Sequence, residues 1–125
     1  MMKPQTATTI EQSQRLIACG VNPDSADMTW QTPIMTSQKS NKSLVVWRPK
    51  HKDYIGDVPA WSLSALLDMM KDKKVLVAYL PKEKEWQVLA KINNVNHGCY
   101  SDSPIESCVK MLELMYKNDY TLNTK

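Results

Sequence analysis

The residues best suited to chemistry lie in the tripeptide His97-Gly98-Cys99, which places an imidazole near a thiol. A nucleophilic cysteine needs a base held on its sulfur and a third group that orients the base. Adjacency in a predicted loop does not supply that geometry, so we interpret both side chains as incidental. An enzyme that uses His97 and Cys99 is therefore the least favoured hypothesis, and we predict no catalytic residue.

Two pairs of carboxylates, Asp24 with Asp27 and Asp68 with Asp72, are the next candidates. Acid–base catalysis requires two carboxyl groups held in a cleft with pKa values pushed apart. We expect the first pair to cap turns and the second pair to lie on a solvated helix face. Neither pair predicts an active site.

Metal and nucleotide sites are not indicated. His51, His97 and Cys99 do not show the spacing of metal ligands. The three glycines, at positions 20, 56 and 98, are isolated and cannot build a phosphate-binding loop or a dinucleotide fingerprint. We therefore predict no metal and no cofactor.

The most suggestive segment is basic and spans residues 39–52, although the net charge of the whole chain is only +3. Cations beside aromatic rings can contact phosphates while bases stack on the rings. A charge run at a strand end is also typical of a solvated edge that prevents aggregation. Nucleic-acid binding is the second function hypothesis, with these contact residues: Trp47, Arg48, Lys50, Lys52 and Tyr54.

Trp61 lies just before a predicted helix, in the sequence Pro59-Ala60-Trp61. An exposed Trp at this point would be an anchor for a protein partner. The alternative is that it packs against the edge of the sheet. Our leading hypothesis is a non-enzymatic protein that binds a protein partner or a second copy of itself.

Three stretches of the chain are typical of helices. Thr8 or Thr9 caps the first, with Glu11 or Gln12 as the reciprocal partner, and Gly20 ends it. Ser62 caps the second, which extends to about residue 71.

The third helix has the clearest signal. Ser103 and Glu106 form a predicted capping box. The helix also contains two pairs of opposite charge four residues apart, Glu106–Lys110 and Glu113–Lys117. Its apolar stripe consists of Ile105, Cys108, Val109, Leu112, Met115 and Tyr116.

Extended segments are predicted from β-branched and alternating residues. They are a short piece at residues 28–30, a strand at 44–48, and a hairpin of strands 75–80 and 85–92. Residues 93–102 are expected to be a loop, with a short strand near Cys99 and Tyr100 as the alternative. Leu89 breaks the alternation of the last strand, so we expect its outer face to be partly apolar.

The composition is that of a globular protein with one domain, residues 1–125, of which 42% are apolar and 23% charged. We predict an α+β fold, in which about three helices pack on one face of a small, mainly antiparallel sheet of three to four strands. Residues 1–7 are expected to be a loose tail and residues 31–43 an exposed polar loop.

Cysteine usage and hydropathy bear on the compartment. Three cysteines, an odd number without paired spacing, argue against a disulfide framework. No segment resembles a signal peptide, and no apolar run approaches the roughly 20 residues of a membrane span. We therefore expect a cytoplasmic protein that does not enter a membrane.

Three segments, residues 25–30, 59–70 and 103–112, resemble small uncharacterised proteins encoded by phages, prophages and other mobile elements of gut bacteria. The resemblance extends from about Thr9 to Leu122. It implies a compact α+β protein to which no activity and no catalytic residues are assigned. It also implies an accessory role in a phage or mobile element.

Overall fold

A computed structural model of the chain describes residues 5–31, 43–46 and 58–117. Within these ranges there are three α-helices and six β-strands, so the predicted α+β class is confirmed. The helices are α1 (Ile10–Cys19), α2 (Leu63–Met69) and α3 (Pro104–Lys117). The strands are β1 (Met28–Gln31), β2 (Ser43–Val46), β3 (Val58–Ala60), β4 (Leu76–Leu80), β5 (Glu85–Ile92) and β6 (Val95–Ser101).

The helix starts follow the capping residues in the sequence. Thr9 Oγ1 accepts from the backbone N–H of Gln12 at 3.1 Å, and Gln12 Oε1 accepts from the N–H of Thr9 at 2.9 Å. Gly20 ends α1 with a φ of 117°, and Ser62 caps α2. These predictions are confirmed. No helix of the described ranges is long and apolar enough to cross a bilayer.

The strands form two antiparallel sheets of three strands each, in the orders β2-β1-β3 and β4-β5-β6. The sequence predicted one sheet. The difference arises partly at residues 58–60, expected to be part of a connection, which pair with β1 instead. Pro59 lacks a backbone N–H, and it is tolerated there because β3 lies at the edge of its sheet.

The loop expected at residues 93–102 is wrong for most of that range, because Val95–Ser101 form strand β6. The pair Ile92–Val95 closes a two-residue turn in which Asn93 and Asn94 have φ values of 52° and 65°. A type I′ turn requires positive φ at both positions, and Asn adopts this region more readily than most residues. The turn therefore extends the predicted hairpin into a three-stranded meander.

Helix α3 lies at the centre of the core. It packs on β5 and β6, and α1 and α2 pack on α3. Its buried residues are Ile105, Ser107, Cys108, Val109, Met111, Leu112 and Met115. The β4–β6 sheet therefore has one face covered by helix.

The N-terminal tail needs a correction for residues 5–7. Ala7 is only 3% exposed and forms an isolated β-bridge with Ser62. The side-chain carbonyl of Gln5 accepts from Ser103 Oγ at 3.0 Å. These residues are held by backbone and side-chain bonds and are not loose. Of the expected polar loop, residues 32–42 lie outside the described ranges, while Gln31 and Ser43 pair as ends of β1 and β2.

Candidate functional site

The predicted nucleic-acid contacts lie in a part of the chain that the structure does not describe. Trp47, Arg48, Lys50, Lys52 and Tyr54 all fall within residues 47–57, between β2 and β3. Their role stays a prediction.

Trp61 is not an exposed anchor, which corrects the interaction site expected there. Its side chain is 0% exposed and belongs to the hydrophobic core. Trp61 Nε1 donates to Ser25 Oγ at 3.0 Å, and its backbone N–H donates to Thr8 Oγ1 at the same distance. Burial of the indole with its N–H satisfied fixes the start of α2 against the loop before β1.

His97 and Cys99 lie two residues apart on β6, so both point to the face that α3 covers. They pair with Ala90 and Val88, which are buried on β5. Cys99 packs against the core. The structure thus brings the two residues onto one face, about 6.5 Å apart along the strand, a spacing that exceeds hydrogen-bond reach.

The thiols are not activated. Burial raises the pKa of Cys19, Cys99 and Cys108 above the ordinary value of 9.0, and the pKa of Cys108 reaches about 12. A nucleophilic cysteine requires a lowered pKa, because the thiolate is the reactive form. The three cysteines are therefore in environments that favour the inert thiol.

Asp27 forms hydrogen bonds that stabilise the start of α2. Its carboxylate accepts from the backbone N–H of Ser62 at 2.9 Å and from the Ser62 hydroxyl at 2.5 Å. Asp24, Asp27 and Asp68 border an open cavity of about 500 Å3. Among the described residues, no three His, Cys, Asp or Glu side chains are grouped so that they could hold a metal ion.

The remaining candidate is the face of the β4–β6 sheet that points away from α3, named here the outer face. On β5 the residues Val88, Ala90 and Ile92 are buried, so the alternate positions point outward. Strand pairing extends this alternation to β4 and β6. The outer face consists of Leu76, Ala78, Leu80, Glu85, Gln87, Leu89, Lys91, Asn96, Gly98 and Tyr100.

The centre of the outer face is apolar. Leu76 is 65% exposed and Tyr100 is 43% exposed. A methyl group at Gly98 would lie 3.1 Å from Leu89 Cδ2 and 3.2 Å from Tyr100 Oη, so both side chains extend over the glycine. Gln87 Nε2 donates to Tyr100 Oη at 2.8 Å and holds the phenol in place. Leucine and tyrosine side chains therefore form the exposed surface at this point of the sheet.

Only part of this surface was evident in the sequence. Leu89 interrupts the alternation of β5 and indicated a partly apolar outer face. Leu76 and Tyr100 were missed, because their exposure depends on which strands lie on either side of β5. The segment that forms β6 was expected to be a loop.

Comparison with known proteins finds no matching family model, no matching curated protein and no matching solved structure.

Proposed function

We propose that the protein is a non-enzymatic interaction module that binds a protein partner through the outer face. The supporting observation is the exposure of Leu76 and Tyr100 around the half-buried Leu89 on one sheet face, opposite the face that α3 covers. Contiguous exposed apolar patches on soluble domains commonly mark interaction sites. The polar ends of the face, Glu85 and Lys91, form a rim of the kind found around protein interfaces.

The proposal includes an accessory role in a phage or mobile element, and this part depends on the sequence resemblance alone. The raised pKa values of the three cysteines argue against a role of these thiols as catalytic nucleophiles.

The experiment is affinity capture from cells that naturally express the protein, followed by identification of bound proteins. The test variant is Leu76→Lys, and the matched control is Val95→Lys. Val95 is also an exposed apolar residue of this sheet, at 55%, but it pairs with Ile92 and therefore belongs to the other face. We expect at least one captured protein to be lost with Leu76→Lys and kept with Val95→Lys. Capture that is the same for both variants would contradict the proposal.

A further inference from the structure

We infer that the outer face binds the outer face of a second copy of this chain, forming a twofold dimer in which the central strands run antiparallel. This inference rests on the proposed function, because it names the partner of that same surface. The evidence for it is the order of the charged residues on β5 and the shapes of the outward residues on the neighbouring strands β4 and β6.

The charges on β5 are arranged so that they complement themselves. The outward residues of β5, in order, are Glu85, Gln87, Leu89 and Lys91. The acid and the base are six residues apart, or about 20 Å along the strand. Consider a twofold axis that lies midway between the two stacked sheets, parallel to their planes and perpendicular to the strands, and that passes over residue 88. This axis places Glu85 of each copy opposite Lys91 of the other. An axis parallel to the strands would instead bring like charges together, which is unfavourable.

Both charged groups are available for such pairing. Neither Glu85 nor Lys91 forms an ion pair with another described residue, although four ion pairs occur elsewhere in the described ranges. Aligned sheets stack about 10 Å apart and rotate by about 30°, which displaces residues 10 Å from the axis by about 5 Å. The long side chains of Glu and Lys can span that displacement.

The shapes are also complementary under the same axis. On β4 the register places Leu76 opposite Ala78 of the second copy, so a large residue meets a small one. On β6 it places Tyr100 opposite Gly98 of the second copy. Because each Tyr100 ring lies over its own Gly98, the two rings face each other near the axis. Offset stacking of two aromatic rings is a favourable contact.

The size of the face predicts a weak dimer. Three strands spaced by about 4.8 Å, over about 20 Å of length, offer roughly 300 Å2 per copy. A standard stable interface buries about 800 Å2 per partner. We therefore expect reversible association with a dissociation constant of the order of 100 µM, not a permanent dimer.

The test is sedimentation equilibrium of the full chain from 10 µM to 1 mM at low salt. Wild type and Val95→Lys should dimerise equally, and Leu76→Lys should remain monomeric. Glu85→Lys and Lys91→Glu should each weaken the dimer by about tenfold, since each change puts like charges opposite one another twice per dimer. The double variant Glu85→Lys/Lys91→Glu should restore wild-type affinity to within about threefold, because the swapped charges face each other again.

A wild-type protein that is monomeric at 1 mM would overturn the inference, as would a double swap that fails to restore association. Circular dichroism and thermal unfolding establish that each variant is folded. Should Leu76→Lys unfold, the charge swap decides alone, since it changes only surface charges. A monomeric protein that still loses a captured partner with Leu76→Lys would refute the dimer and leave the proposed function intact.

Discussion

Arg15 of α1 holds Glu113 of α3 with two parallel hydrogen bonds, from Nε to Oε2 at 3.2 Å and from Nη2 to Oε1 at 2.6 Å. Its third bond, from Nη1, reaches Glu106 Oε1 at 2.9 Å. One guanidinium therefore joins α1 to two positions of α3 that lie about two helical turns apart. Bidentate pairing of this kind fixes the orientation of the two partners as well as their distance.

The Arg15–Glu113 pair should contribute modestly to stability. The two side chains are 31% and 34% exposed, so solvent screens their attraction. A double-mutant cycle of Arg15→Ala and Glu113→Ala, measured by urea unfolding, should give a coupling free energy of about 0.5–1 kcal/mol. Arg15→Lys should lose most of that coupling, because an ammonium cannot form the bidentate fork. The same cycle on the more exposed pair Asp68–Lys71 serves as a control and should give a value near zero.

Glu106 should make the free energy of unfolding depend on pH in the acidic range. Burial raises its pKa, but the hydrogen bonds from Arg15 and Gln12 together outweigh burial and leave the pKa below the ordinary value of 4.5. The charged carboxylate thus stabilises the folded state above the unfolded pKa, and this contribution is lost as the pH falls through the folded pKa. The difference in unfolding free energy between wild type and Glu106→Gln should be constant from pH 7 to 5 and shrink below about pH 4. If the difference stays constant to pH 3, the assignment is incorrect.

The start of α3 could be predicted from its sequence, but the contacts of Glu106 could not. The sequence predicted the cap at Ser103, and Ser103 Oγ does accept from the Glu106 N–H at 3.3 Å. The reciprocal half of the box is replaced, because the Ser103 N–H donates to Ser101 Oγ and the Glu106 carboxylate faces α1. Likewise, Lys110 donates to the carbonyl of Tyr100. Local spacing identified the helix, but the partners of the Ser103 N–H and of Lys110 come from β6, and those of the Glu106 carboxylate come from α1, which lies far away in the sequence.

The hydrogen bond from Trp61 Nε1 to Ser25 Oγ should make a measurable contribution to stability. Trp61→Phe removes the Nε1–H donor, and Ser25→Ala removes its acceptor. Each single change should lower the unfolding free energy by about 1–2 kcal/mol, with a coupling of about 1 kcal/mol. The pair is compared by urea unfolding monitored with circular dichroism, which does not depend on tryptophan fluorescence. A coupling near zero would mean that the indole N–H gains nothing from Ser25.

The sheets were less predictable than the helices for a physical reason. Helix caps and stripes are local, and three helices were placed from them. Strand β6 alternates Asn96, Gly98 and Tyr100 with His97 and Cys99, which resembles a polar loop until β5 supplies its partner. The same holds for the outer face, whose apolar centre exists only once β4, β5 and β6 are in register.

The free energy of unfolding should depend on which residue occupies the second position of the Asn93-Asn94 turn. Asn94 has a φ of 65°, a region that glycine occupies without strain and alanine does not. Asn94→Gly should raise the unfolding free energy by up to about 0.5 kcal/mol, and Asn94→Ala should lower it by about 1 kcal/mol. Asn96→Ala, at an exposed strand position nearby, is the control and should change it little. Equal stability of the Gly and Ala variants at position 94 would refute the role of positive φ.

The basic segment at residues 39–52 gives a separate prediction, which concerns nucleic acid. If Arg48, Lys50 and Lys52 each neutralise a phosphate, binding to DNA should weaken linearly with the logarithm of salt concentration. Replacing all three by Gln should reduce that slope by about 2 to 3 on double-stranded DNA. Fluorescence anisotropy with labelled single- and double-stranded DNA across a salt series measures the slope directly.

A matched change of charge elsewhere separates specific contact from net charge in this experiment. Lys82, Lys84 and Lys117 are exposed in the structure, and replacing them by Gln removes the same three charges. If the basic segment makes the contacts, this control should keep a slope close to that of wild type, and Trp47→Ala should weaken single-stranded binding through lost stacking. A salt-independent response, or equal losses for the two triple variants, would contradict a nucleic-acid site at residues 39–52, because electrostatic contact must depend on where the charges lie.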